Sequence, residues 1–151
     1  MPQMILKTTV DGSVPEVYDR FGPDLLLQLS PPGMKVTIHE MSYPIELDTD
    51  VVIEVSILGI IKQHWHNRIT EVIKTDDSCH FVDEGLKLPG MFKSWRHVHR
   101  ICVGTDGKTQ IVDDVTYTSP NNLLGWLFFP AVYLQFAYRK PKYKAFFKSK
   151  N

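Results

Sequence analysis

Between Met34 and Thr118 the chain leaves no room for a crossover helix. Runs such as "MKVTIHEM", "DVVIEVSIL", "HWHNRITEVI", "CHFVDEGL", "WRHVHRICV" and "TQIVDDVTYT" are rich in β-branched and aromatic residues, the types that suit a pleated, half-buried surface. Only short turn signals separate most of them ("DTD", "TDDS", "LPG", "TDG"). Parallel strands need connections of a dozen residues or more, so these strands must run antiparallel, each doubling back on the last.

What flanks this block is helical. Residues 3 to 9 read as one more strand, and "SVPE" at 13 to 16 then starts a helix, with Ser13 as cap, Glu16 closing a capping box and Pro15 in the first turn. Gly22 and Pro23 break that helix and open a second short one, "PDLLLQLS", which "PPG" at 31 to 33 stops. After Pro120, apolar residues recur at three- and four-residue steps: Leu123, Trp126, Leu127, Pro130, Tyr133, Leu134 and Ala137. The spacing predicts a long C-terminal helix over about 121 to 147, kinked or split at Pro130. The order is strand, two short helices, about six strands, long helix. That is an α+β domain in which a twisted sheet wraps around the last helix.

One domain, residues 1–151, fits the length. Lys plus Arg and Asp plus Glu are both 17, so no net field favours nucleic acid. The two cysteines, Cys79 and Cys102, form no framework and no CxxC, which suits a reducing compartment. With no basic-then-apolar leader at the start, the expected location is cytoplasmic. The longest uncharged apolar run, Leu123 to Tyr138, has 16 residues, short of the ~20 of a membrane span.

Strand parity gives candidate site residues. In 92 to 103 one face carries Trp95, His97, His99, Ile101 and Val103, and the other carries Ser94, Arg96, Val98 and Arg100. The arginines favour solvent, so the Trp/His/His face should look inward, with Asp113 and Tyr117 of the next strand inward too. "TDG" at 105 to 107 suits a three-residue hairpin loop with Gly107 left-handed. That loop pairs Gly104 with Lys108, and therefore His99 with Asp113, His97 with Val115 and Trp95 with Tyr117. A carboxylate in that position would fix the His99 tautomer.

These residues carry a resemblance. "W" and "IT" at 65 and 69 to 70, "FVDEG" at 81 to 85, "WRHVHR" at 95 to 100, "DDVTY" at 113 to 117 and "YRKPKYKAFF" at 138 to 147 resemble the ligand-binding SRPBCC proteins, the START and birch-pollen-allergen helix-grip superfamily. The resemblance implies a seven-stranded antiparallel sheet gripping the C-terminal helix around an apolar cavity. In that superfamily the cavity holds lipids, sterols, polyketides or similar molecules. The chain lacks the cysteine/histidine iron-ligand motifs of the superfamily's oxygenase branch.

The expected function is therefore binding of a small or medium apolar ligand. Trp65, Asn67, Trp95, His97, His99, Asp113 and Tyr117 would line the site from the sheet, and Trp126 and Tyr133 from the helix. The first alternative is a cyclase- or dehydratase-like enzyme using His99 and Asp113 as an acid/base pair. The second is a protein-interaction module with a vestigial cavity. No Ser or Cys sits in a nucleophile elbow, so covalent hydrolysis is unsupported.

His97, His99 and Asp113 offer three metal donors. Same-face residues two apart on a strand, however, lie roughly 6.5 to 7 Å apart, wide for a rigid site. No metal or cofactor is expected. His64 and His66 should face solvent, because Trp65, Asn67 and Ile69 take the inner face. The face of Asp83 and Glu84 is left open. The basic tail (Arg139, Lys140, Lys142, Lys144, Lys148, Lys150) with Phe146 and Phe147 reads as a solvated helix end rather than an anionic-membrane contact. Transient membrane contact remains the alternative, and stable insertion is not expected.

Overall fold

A computed structural model describes residues 1–149. Its elements are β1 (Gln3–Val10), α1 (Val14–Asp19), α2 (Pro23–Gln28), β2 (Met34–Met41), β3 (Asp50–Ile57), β4 (Ile61–Lys74), β5 (Ser78–Lys87), β6 (Ser94–Val103), β7 (Thr109–Thr118), α3 (Asn122–Ala137) and α4 (Arg139–Phe146). The strands form one seven-stranded sheet in the order β1-β7-β6-β5-β4-β3-β2, with every neighbouring pair antiparallel. From β2 to β7 the chain is a meander. Helices α1 and α2 carry it from one sheet edge to the other.

Local signals in the sequence set most boundaries. Ser13 Oγ accepts from the Glu16 amide while the Glu16 carboxylate accepts from the Ser13 amide, completing the capping box. At the β6–β7 turn the Gly104 amide donates to the Lys108 carbonyl at 2.7 Å and the Gly107 amide to the Gly104 carbonyl at 3.0 Å. Gly107 has φ +78°, the left-handed conformation a three-residue hairpin needs. The register follows as expected: His99 opposite Asp113, His97 opposite Val115, Trp95 opposite Tyr117.

The C-terminal helix divides at Tyr138 rather than at Pro130, which lies inside α3. Pro130 sits on the exposed side, where a carbonyl deprived of its amide partner can be solvated.

The core has two parts. One joins α1, α2 and α4 to the sheet, with Tyr18, Phe21, Leu25, Phe81, Tyr143 and Phe147 buried together. The other sets Val132 and Phe136 of α3 against Met4, Leu6, Phe92, Trp95 and Tyr117. Phe147, grouped with the solvated tail in the sequence, is in fact core. Arg139, grouped there too, is nearly buried, with 12% of its side chain exposed. Lys150 lies outside the described residues.

Candidate functional site

Between the two core clusters, on the inner face of the sheet, the side chains turn polar. His97, His99 and Asp113 are buried, and Arg96 is exposed on the opposite face, as parity required. The outward His66 bonds Asp50 at 3.0 Å beside Arg68, and His64 is exposed, so neither belongs to this cluster.

The partners within the cluster differ from expectation. His99 lies opposite Asp113 along the backbone, yet its Nε2 bonds Asp83 Oδ2 at 2.7 Å. It is His97 whose Nε2 meets Asp113 Oδ1 at 2.8 Å. Each histidine thus reaches diagonally to a different neighbouring strand, within the range of roughly 7 to 8 Å that long side chains span. The imidazoles cross in a stack at 3.6 Å between ring centres, and Phe81 stacks on His99 at 4.2 Å. Asp83, whose face parity left open, points inward because it pairs with His97 across β5–β6. Its other oxygen accepts from Asn67 Nδ2 at 2.9 Å.

The C-terminal helices close the network. Tyr143 donates its hydroxyl proton to Asp113 Oδ1 at 3.2 Å. An Arg139 guanidinium nitrogen lies 3.8 Å from the same oxygen, and the guanidinium rests 4.2 Å above the Phe136 ring centre. Neither Arg139 nor Tyr143 was expected in the site. Arg139 reads as one more base in a lysine-rich tail, and only the packing of α4 reveals that it is covered.

Burial and pairing set the charges. Burial alone would raise the pKa of Asp113, but the His97 hydrogen bond and the nearby Arg139 and His99 outweigh it and hold the group at about 2. Asp83 is likewise lowered: burial opposes ionisation, while the His99 bond, His97 and Arg139 favour it. His99 falls to about 4, driven by burial and then by its stacked neighbour His97, against the attraction of Asp83. Burial, with the Asp113 charge beside it, raises the Tyr143 phenol. At neutral pH the cluster therefore holds two carboxylates, the Arg139 cation and a neutral His99.

A cleft of about 670 Å³ opens beside this cluster, between the sheet and α3. Its walls are mostly apolar, from α2 (Leu25, Leu26), β3 (Val51, Ile53) and α3 (Val132, Phe136). Of the sequence candidates, Trp65, Asn67, Trp95, His97 and His99 line it, joined by Asp83, Arg139 and Tyr143. Four candidates do not. Asp113 lies behind His97, to which it is hydrogen-bonded. Tyr117 is core, its hydroxyl donating to the Gly125 carbonyl at 2.7 Å. Trp126 and Tyr133 turn outward, 54% and 41% exposed, while Gly125, Val132 and Phe136 take the buried face; a helix this apolar carries no sequence signal for which side meets the sheet.

Two chemical capacities follow. Donor atoms of Asp83, His97 and His99 all lie within 4.8 Å of one another, so the separation along the strand that argued against a metal does not carry over to the side-chain ends. The rings are stacked, only 29° from parallel, and their Nε2 atoms reach to Asp113 and Asp83 on different strands. A tetrahedral ion would require that stack to open. As for acid/base work, His99 presents a base far weaker than one matched to neutral pH, and its Nδ1 is buried with no hydrogen-bond partner among the described residues. The buried Cys79 sits in the core, its thiol turned to the Thr75 carbonyl.

No protein-family model and no curated protein matches the chain by sequence. Solved structures do match. A protein from Chromobacterium violaceum superposes with a TM-score of 0.72 at 14% identity, over 98% of each chain. Ginseng major latex-like protein 151 from Panax ginseng gives 0.67 at 19% identity, again over 98% of each chain. The di-domain ARO/CYC StfQ from the steffimycin biosynthetic pathway gives 0.67 at 11% identity, over 97% of this chain and 50% of that one. At such identities the likeness is one of fold, and the fold is the helix-grip fold that the sequence resemblance implied.

Proposed function

We propose that this chain is one cytoplasmic ligand-binding domain. It holds a small or medium apolar molecule, lipid-, sterol- or polyketide-like, in the cleft between sheet and α3. The observation that carries the reading is the composition of that cleft: a long apolar wall ending in one compact polar cluster of Asp83, His97, His99 and Arg139. Apolar walls supply affinity and a few fixed polar groups supply orientation, the usual division in small-molecule sites. Trp65, Trp95 and Phe136 would flank the ligand body. Asn67, Asp83, His97, His99 and Arg139 would receive its polar group, with Asp113 and Tyr143 holding His97 in place from behind.

A second reading, a cyclase- or dehydratase-like enzyme, draws support from the shared fold with the ARO/CYC protein StfQ. In that case the acid/base pair is His99 with Asp83, not with Asp113. The low basicity of His99 weighs against it. A cleft of this size likewise weighs against a vestigial cavity.

Native mass spectrometry of the purified protein is the test. A co-purified small molecule, unchanged on long incubation, is the expected result. His99→Ala and Asp83→Asn should then weaken its binding by about 1 to 3 kcal/mol, the usual cost of leaving a buried polar partner unsatisfied. Conversion of the molecule by the wild type, abolished in either variant with affinity intact, would replace the binding reading with the enzymatic one.

A further inference from the structure

The outer side of α3 departs most from ordinary surface chemistry. Leu123, Trp126 and Leu127 are 80%, 54% and 67% exposed, Leu134, which also reaches the mouth of the cleft, is 66% exposed, and Pro130 is exposed among them. At 3.6 residues per turn these five positions fall within an arc of roughly 100°. Tyr133 borders the stripe. The opposite side buries Gly125, Val132 and Phe136. No charged residue occurs between Asp114 and Arg139. A surface helix ordinarily turns a polar face to water, and a contiguous exposed apolar stripe marks an interaction site.

The charges beside the stripe indicate what covers it. From Val115 to the end of the chain there is no Asp or Glu, while Lys140, Lys142, Lys144, Lys148 and Lys150 all fall there; Arg139, in the same stretch, is turned inward toward Asp113. The chain as a whole is neutral, so this basic excess is local. The exposed positions of α4 include Lys140 and Lys144, which follow the stripe in sequence beyond the bend at Tyr138. An apolar stripe containing Trp and Tyr and running into lysines is the chemistry of a helix lying in the interfacial plane of an anionic bilayer. Two copies paired stripe to stripe would bury the leucines but leave the lysines without a carboxylate on the facing surface.

We propose that the outer face of α3, with Lys140 and Lys144 of α4, docks the protein onto an anionic lipid surface. Helix α3 has 16 residues, about 24 Å of helix, and no helix among the described residues is long and apolar enough to cross a membrane. It therefore lies flat. Its inner residues Val132 and Phe136 are a wall of the cleft, so docking sets that wall against the bilayer. The surface carries the proposal independently of what the cleft binds.

The test uses the full chain with no added ligand and phosphatidylcholine vesicles with or without phosphatidylserine. Co-sedimentation with the serine-containing vesicles is expected, weakening as salt rises, with a blue shift of tryptophan emission that Trp126→Gln removes. Leu127→Glu should lower the vesicle partition coefficient at least tenfold, by order of magnitude for a charge placed in buried apolar contact. Lys140→Gln with Lys144→Gln should lower it roughly 25-fold on anionic vesicles only, the equivalent of ~1 kcal/mol for each basic group at such a surface. All these positions are exposed, so circular dichroism and melting should match wild type. Absence of binding, or binding indifferent to Leu127→Glu, overturns the proposal. So does a dimer in analytical ultracentrifugation that Leu127→Glu dissociates without vesicles, which would assign the stripe to self-association.

Discussion

The two halves of the C-terminal helical segment are continuous in sequence and opposite in character. In α4, Tyr143 and the following Phe147 are buried against Phe21, with ring centres 6.2 and 6.1 Å away, and Arg139 and Tyr143 join the buried polar network. In α3, only Gly125, Val132 and Phe136 are buried, and most of the large apolar side chains stand in solvent or beside the cleft. Helix α4 anchors the grip. Helix α3 is a wall with a space on one side and an uncovered apolar face on the other.

The sharpest way to break this comparison is to truncate one large residue on each helix. Tyr143→Ala should cost about 3 to 5 kcal/mol in denaturant unfolding, the usual loss for deleting a buried aromatic side chain, with a further loss at Asp113. Leu127→Ala on α3 should stay within about 0.5 kcal/mol. Equal effects would dissolve the distinction between anchor and wall.

Acid comes next. His99 has a folded pKa of about 4, below its ordinary 6.5, so the unfolded chain takes up its proton first. The stability it contributes is full above pH 6.5 and lost as pH falls from there through 4. Asp113, held at about 2 against 3.8, contributes stability above 3.8 that is lost as pH falls through 2. Denaturant midpoints should therefore decline in two stages. The first should be on the order of 2 to 3 kcal/mol and absent in His99→Asn. A flat profile from pH 7 to 4 would contradict the buried neutral His99.

Smaller effects sharpen the same contrast. Tyr143→Phe removes one donor from Asp113 and should cost about 1 kcal/mol without creating a cavity. Ser13→Ala, which removes the cap of α1 beside the anchored end, should cost about 1 kcal/mol. Leu134→Ala, at the exposed stripe, should be close to neutral, within about 0.5 kcal/mol, in unfolding experiments performed without lipid.

How much of this was legible beforehand depended on whether the governing interaction was local. The hairpin at 105 to 107 is fixed by three residues, so the alignment of His99 with Asp113 could be read directly. The β5–β6 connection, Leu88 to Lys93, carries the turn signal "LPG" but is too long for that signal to fix the pairing, so the register that turns Asp83 inward could not. Ring direction was equally out of reach: which carboxylate each histidine meets depends on rotamers settled by the His97/His99 stack and by Phe81.

By itself, then, the sequence determined the antiparallel meander, the capping box of α1, the helix-grip order of elements and the inward face of β6. Each of these follows from alternation, turn chemistry or capping within a few residues. Tertiary structure alone decided the rest. Only packing could choose which side of α3 meets the sheet, because a helix apolar all round carries no directional signal. Only the approach of α4 could bring Arg139 and Tyr143 onto Asp113, because those contacts join residues 26 and 30 apart in the chain, through a bend at Tyr138 that no local rule places.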